Sequence, residues 1–165
     1  MHFSLRPFNE NDIESLVVNA NNPNIARFMT DQFPHPYTNE KGLAFITFAT
    51  KDLPLHIFAI DVDGKAAGGI GIHPQIDIQQ KNAELGYWLG EPYWGKGIAT
   101  AAVKQMITYG FANFDITRIF ARPFGHNKAS QRVLEKAGFT LEGHYKNTFY
   151  KNEEFLDELI YAVRK

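Results

Sequence analysis

The stretch Tyr93-Trp94-Gly95-Lys96-Gly97-Ile98-Ala99-Thr100 is the most informative in the chain. An apolar run, Asn82 to Leu89, precedes it and reads as a strand. A helical pattern, Ile98 to Phe114, follows, with Ile98, Ala102, Met106 and Tyr109 on one face and Val103, Ile107 and Gly110 beside it. The stretch is therefore a strand-to-helix turn, inside the turn-rich segment Gly90 to Gly97. A helix start presents N–H groups without intrahelical partners and a partial positive charge, which suits a phosphate. Glycines let an anion approach the backbone closely, and Ala99 keeps the first helical turn slim.

Two phosphate motifs compete for the same residues. Gly90 and Gly95-Lys96 have the spacing of the nucleoside-triphosphate loop GxxxxGK[ST], but Gly97 stands where that loop needs a magnesium-binding hydroxyl. Pro92 also removes a backbone donor. The dinucleotide pattern GxGxxG fails at Thr100. Taken alone, the stretch is a glycine-rich turn entering a helix.

Upstream, His2 to Phe8 alternates as a first strand, and Asn9 caps a helix through Ile13, Leu16 and Val17. A short helix falls within Asn21 to Thr30, Asp31 to Tyr37 is a loop, and Thr38 to Thr50 is a helix weakened by Gly42. Leu55 to Val62 and Lys65 to His73 read as a hairpin about Asp63-Gly64. Downstream come a strand, Arg118 to Arg122, and a helix, Asn127 to Ala137, stopped by Gly138. Phe139 to His144 and Phe155 to Val163 are the last strands. The order predicts an α/β (α+β) fold: a mixed, mostly antiparallel central sheet flanked by helices, in a single domain over residues 1–165.

Composition narrows the function. The chain has 165 residues, 44% of them hydrophobic, ample for a core. Seventeen Lys and Arg face eighteen Asp and Glu, a net charge of -1, so no nucleic-acid footprint is evident. There is no cysteine, which excludes disulfides and a cysteine-bound acyl intermediate. No signal peptide or membrane span is read, so a cytoplasmic protein without membrane partners is expected. The six histidines show no metal-ligand spacing, and no metal is expected.

Three segments in order carry a resemblance: Ala83-Glu84-Leu85-Gly86-Tyr87-Trp88-Leu89, then Gly95 to Thr100, then Asn127-Lys128-Ala129-Ser130-Gln131-Arg132-Val133-Leu134-Glu135-Lys136-Ala137-Gly138-Phe139. Together they resemble the GCN5-related N-acetyltransferase (GNAT) superfamily, and within it the ribosomal-protein-alanine N-acetyltransferase branch and its small-molecule relatives. The superfamily pattern Q/R-x-x-G-x-G/A maps onto Trp94-x-x-Gly97-x-Ala99, with Trp94 departing from Gln or Arg. The resemblance implies the GNAT fold and acetyl-CoA as cosubstrate. It places the N–H groups of Gly95, Lys96, Gly97, Ile98, Ala99 and Thr100 on the coenzyme A pyrophosphate. It has the preceding strand splay near Leu89 to admit the pantetheine arm, with Asn127, in itself a plain helix N-cap, also bonding that arm. Trp88 and Tyr87 alternate, one in the core and one in the cleft, and Lys136 and Arg132 are candidates for coenzyme A phosphates.

Acetyl transfer to an amine needs an amine that has lost a proton, a polarised thioester carbonyl and a stabilised leaving thiolate. Glu84, on the strand leading to the turn, is the candidate base; its alternative is a structural acid bonded to backbone or to an arginine. Ser130 resembles the serine that this branch places near the thiol; its alternative is an ordinary first-turn serine. Many relatives carry a tyrosine acid where this chain has Leu134. The aromatic stretch Phe28 to Tyr37 is the candidate acceptor side. The reading is acetyl transfer to a primary amine, such as a protein N-terminus, a polyamine or another small amine. An inactive acyl-CoA-binding sensor is the alternative, a nucleotide-binding domain is a weaker third, and a homodimer through C-terminal edge strands is open.

Overall fold

The structure, a computed structural model, describes all of residues 1–165. Its elements are β1 (Phe3–Arg6), α1 (Ile13–Ala20), α2 (Pro23–Ala26), α3 (Asn39–Ala49), β2 (Ile57–Val62), β3 (Lys65–Pro74), β4 (Asn82–Leu89), α4 (Ile98–Asn113), β5 (Arg118–Ala121), α5 (Lys128–Lys136), β6 (Thr140–Lys151) and β7 (Glu154–Arg164). Hydrogen bonding orders the strands β1-β2-β3-β4-β5-β7-β6. β4 and β5 run parallel, whereas β1–β2, β2–β3, β5–β7 and β6–β7 are antiparallel. This is the mixed, mostly antiparallel sheet that the element order predicts. No helix is long and apolar enough to cross a membrane.

The chain divides into two compact units, 1–71 with 86–102, and 72–85 with 103–165. In the first, Asn9 caps a short 3-10 turn, Glu10–Asp12, that runs into α1, and the Asp12 carboxylate accepts the Asn9 N–H at 2.9 Å. This reciprocal box satisfies two otherwise orphaned donors. The Arg6 guanidinium grips Asp12 at 2.7 and 2.8 Å and Asp61 at 2.7 Å, tying β1 to the start of α1 and to β2. Burial by itself would raise the Asp12 carboxyl, but the Arg6 and Asn9 hydrogen bonds hold it below its ordinary value. Phe8, Leu16, Ile46 and Trp88 belong to one core cluster, and each side chain of that size contributes about 2 kcal/mol when fully buried. Asp63 and Gly64 take φ of 51° and 84°, as the expected β2–β3 hairpin turn requires.

In the second unit, β5 pairs with β4 through Asn82↔Arg118, Ala83↔Ile119 and Glu84↔Phe120, and with β7 through Arg118↔Arg164 to Ala121↔Tyr161. Helix α4 buries Val103 and Met106. Asn127 caps α5 by accepting the Ser130 N–H at 3.2 Å. The helix stops at Gly138, φ 100°, with the Phe139 N–H returning to the Leu134 carbonyl at 3.0 Å.

The last hairpin departs from expectation. β6 continues to Lys151, well past His144. Most of its residues are exposed, so nothing enforces the apolar alternation by which a half-buried strand is read. Two register shifts, at Leu141/Gly143 and Tyr145/Phe149, interrupt it further. The second contains Asn147 at φ 54°, whose N–H donates to Asp157 Oδ1 at 3.0 Å.

Candidate functional site

The glycine turn belongs to the first unit, where the close approach of β3 and β4 supports it. A Cβ on Gly68 would stand 2.3 Å from the Trp88 carbonyl oxygen, so only glycine lets the two backbones meet there. The chain then folds over itself. Gly90 N–H donates to the Ala67 carbonyl at 2.7 Å, Tyr93 N–H to Gly90 at 3.0 Å and Trp94 N–H to Glu91 at 3.1 Å. The Trp94 indole N–H closes the loop on the Leu89 carbonyl at 2.7 Å. The backbone donors of Gly90, Tyr93 and Trp94 are thus committed internally, and the loop is no triphosphate cradle.

From Gly95 onward the backbone is different. Gly95 and Gly97 have φ of 71° and 76°, which ordinary side chains resist. An added Cβ at either would meet nothing within 4 Å, so open space faces the turn. The earliest hydrogen bond of α4 runs from Ala101 N–H to the Gly97 carbonyl at 3.1 Å. The N–H groups of Ile98, Ala99 and Thr100 therefore have no acceptor behind them in the helix. Ile98 is buried and anchors the turn. Lys96 folds its Nζ back on the Pro92 carbonyl at 2.8 Å, 5.9 Å from the Tyr93 ring centre, so the main chain is what the turn offers an anion. A phosphate fits this arrangement.

Of Trp88 and Tyr87, Trp88 is the one in the core, its indole buried with Phe33 edge-on at 5.7 Å. Any hold of Trp88 on a ligand would come from its backbone. Part of the aromatic stretch is core too, since Tyr37 is buried and Met29 and Phe33 pack on the same cluster.

The other candidates lie in the second unit. Asn127 and Ser130 meet at the start of α5, with Ser130 half-buried. Lys136 stands in the last turn of that helix, about 12 Å further along it, where a cation favours the carbonyl end of the dipole. Arg132 is exposed. Leu134 is 0% exposed and belongs to the core. Glu84 is half-buried and paired with Arg122, Nε to Oε1 at 3.1 Å and Nη2 to Oε2 at 3.4 Å. That arginine contact is one of the structural roles open to Glu84. Arg122 was not singled out in the sequence. The only signal for it is its place just beyond β5, on the face Glu84 occupies across the parallel pair. A second overlooked contact lies ahead of the turn, where Asn22 and Asn24 amides donate to Glu91 at 2.6 and 3.1 Å.

Residues 2–140 match the family model of the acetyltransferase (GNAT) domain. The spermidine N(1)-acetyltransferase of Escherichia coli K12 is 26% identical over 157 residues, 92% of this chain and 80% of that one. The ribosomal-protein-serine acetyltransferase of the same organism is 30% identical over 106 residues, 64% and 59% of the two chains. Among solved structures, the microcin C7 self-immunity acetyltransferase MccE, in complex with acetyl-CoA and AMP, superposes with a TM-score of 0.83 at 29% identity, covering 99% of this chain and 92% of that one. The chain spans about half the length of several N-acetyltransferases of Bacillus that it matches at 33–35% identity, 51–56% of each.

Proposed function

This chain belongs to the GNAT acetyltransferase family, and on that premise we propose that it transfers the acetyl group of acetyl-CoA to a primary amine, residues 1–165 acting as one domain. The observation that carries the reading is the Gly95–Thr100 turn, with its positive-φ glycines, open front and helix-start N–H groups that lack an intrahelical acceptor. In this reading Gly95, Lys96, Gly97, Ile98, Ala99 and Thr100 hold the coenzyme A pyrophosphate through their main chain, and Trp94 keeps the loop closed. Trp88 and Leu89 offer backbone to the pantetheine arm, and Asn127 adds a side-chain amide. Lys136 is at most a distant partner for a coenzyme A phosphate.

Acetyl-CoA supplies an activated acetyl group as a thioester. Glu84 takes a proton from the acceptor ammonium, directly or through water, leaving a neutral amine to attack the carbonyl. The new C–N bond forms as the C–S bond breaks, Ser130 Oγ–H stabilises the departing thiolate, and the second proton shed by the nitrogen ends on that sulfur, giving the amide and the free thiol. With Leu134 enclosed in the core, Ser130 stands in for the tyrosine of other members. The sensor alternative rests on the absence of that tyrosine. The three proteins described above are all named acetyltransferases, which favours turnover. They acetylate chemically different acceptors by name, so the acceptor here is kept as a primary amine, of a polyamine, protein N-terminus or other small molecule.

The cofactor reading is tested by thermal unfolding. Coenzyme A at about 100 times its Kd adds roughly 2.7 kcal/mol of apparent stability, an increase in Tm of about 5–10 °C for a domain of this size. ATP with magnesium leaves Tm unmoved. A shift seen with ATP alone would overturn the assignment.

Ser130 makes a separate prediction. A hydroxyl bond to a charged partner is worth about 1.5–3 kcal/mol, so Ser130→Ala slows single-turnover acetyl transfer by roughly ten- to a hundred-fold. Alanine suits the helix and leaves Asn127 as its cap, so Tm and coenzyme A affinity stay near wild type. An unchanged rate removes Ser130 from the mechanism.

A further inference from the structure

Glu84 and Arg122 are joined by a third group. Arg122 Nη1 lies 3.5 Å from Glu158 Oε2, so one guanidinium serves two carboxylates. The register explains it. Glu84 pairs with Phe120 across β4 and β5, and Arg122, two residues on, falls on the same face. Beyond β5, Phe124 bridges to Glu158, which brings that side chain to the same face from β7. The three side chains are unequally covered: 10% exposed for Glu158, 30% for Glu84 and 43% for Arg122. Glu158 thus anchors the guanidinium from the buried side and leaves the Glu84–Arg122 end open.

An ion pair as exposed as Glu84–Arg122 contributes little to folding, so stability alone gives little reason for it. Its geometry does something more specific. The Nε and Nη2 edge places one N–H on each oxygen of Glu84. Each carboxylate oxygen accepts about two hydrogen bonds, so one position per oxygen is left, in a direction the fork dictates. Two carboxylates against one guanidinium leave an excess of one negative charge. That suits an ammonium and disfavours a carboxylate. Burial acts to lower the Arg122 pKa, but its bonds and charge pairing with Glu84 and Glu158 raise it overall, so the guanidinium stays charged.

We propose that Arg122 is a positioning residue for the acceptor amine: anchored by Glu158, it aims the free acceptor sites of Glu84 at the ammonium that is to be acetylated. This rests on the acetyl-transfer reading, but its test separates the two. Steady-state kinetics with the amine are measured in the wild type, Arg122→Gln and Arg122→Lys, with coenzyme A affinity measured alongside. In Arg122→Gln, KM for the amine rises and kcat/KM falls at least ten-fold while coenzyme A affinity is kept. Arg122→Lys restores a cation but not the rate, because the fork is lost. A fall in rate accompanied by an equal loss of coenzyme A affinity makes Arg122 a structural residue and overturns the inference. So does full activity in Arg122→Lys. A wild-type protein that binds coenzyme A but acetylates no amine strikes the transfer reading instead.

Discussion

Glu84→Gln is expected to lower kcat by about 100-fold or more while coenzyme A binds as before, because general-base assistance is worth about that much. The substitution keeps the shape of the side chain and removes its capacity to take a proton. An acceptor amine arrives mostly as ammonium at neutral pH, so the variant should recover part of its rate as pH rises and free amine accumulates. The change should leave the fold intact, since Arg122 keeps its contact with Glu158 and an amide oxygen can still accept one guanidinium N–H. Near-normal turnover would reduce Glu84 to a partner of Arg122. A large loss of Tm together with activity would say the same.

Gly97 carries the other large effect. Its φ of 76° makes the obvious replacement, Gly97→Val, ambiguous, because a β-branched residue there strains the backbone before any ligand is considered. Gly97→Asn is the cleaner test. Asparagine tolerates the left-handed region, and its Cβ would meet no atom within 4 Å, so the free protein should lose only a few degrees of Tm. The side chain would instead occupy the open space in front of the helix start, where a phosphate must stand to reach the N–H groups. Coenzyme A affinity should fall by about 100-fold, some 2.7 kcal/mol, and at about 100 times the wild-type Kd the ligand-induced Tm shift should shrink to about one degree. Unchanged affinity in Gly97→Asn would move the phosphate site away from this turn.

What could be read without a structure was local. The strand-to-helix turn at Gly95–Thr100, the Asp63-Gly64 hairpin, the Asn9 and Asn127 caps and the Gly138 stop each rest on residues within a few positions of one another. Periodicity sufficed for β4 and α4, because each has a face that must be buried. It failed for β6, which is exposed along most of its length and carries two register shifts, so no alternation marks where it ends.

The surroundings of the candidate residues are decided by tertiary structure. Whether Trp88 or Tyr87 enters the core depends on which face of β4 the Phe33 side chain covers, and Phe33 comes from a distant loop. The direction of Lys96 depends on how the chain before it folds back to present the Pro92 carbonyl. The partner of Glu84 lies 38 residues away and reaches it only through the parallel β4–β5 register. Side-chain type and local spacing thus select the turn, the caps and the acid. What that acid faces is decided by strand pairing, because a shift of one residue in register would turn Arg122 to the opposite face of the sheet and leave Glu84 without its fork.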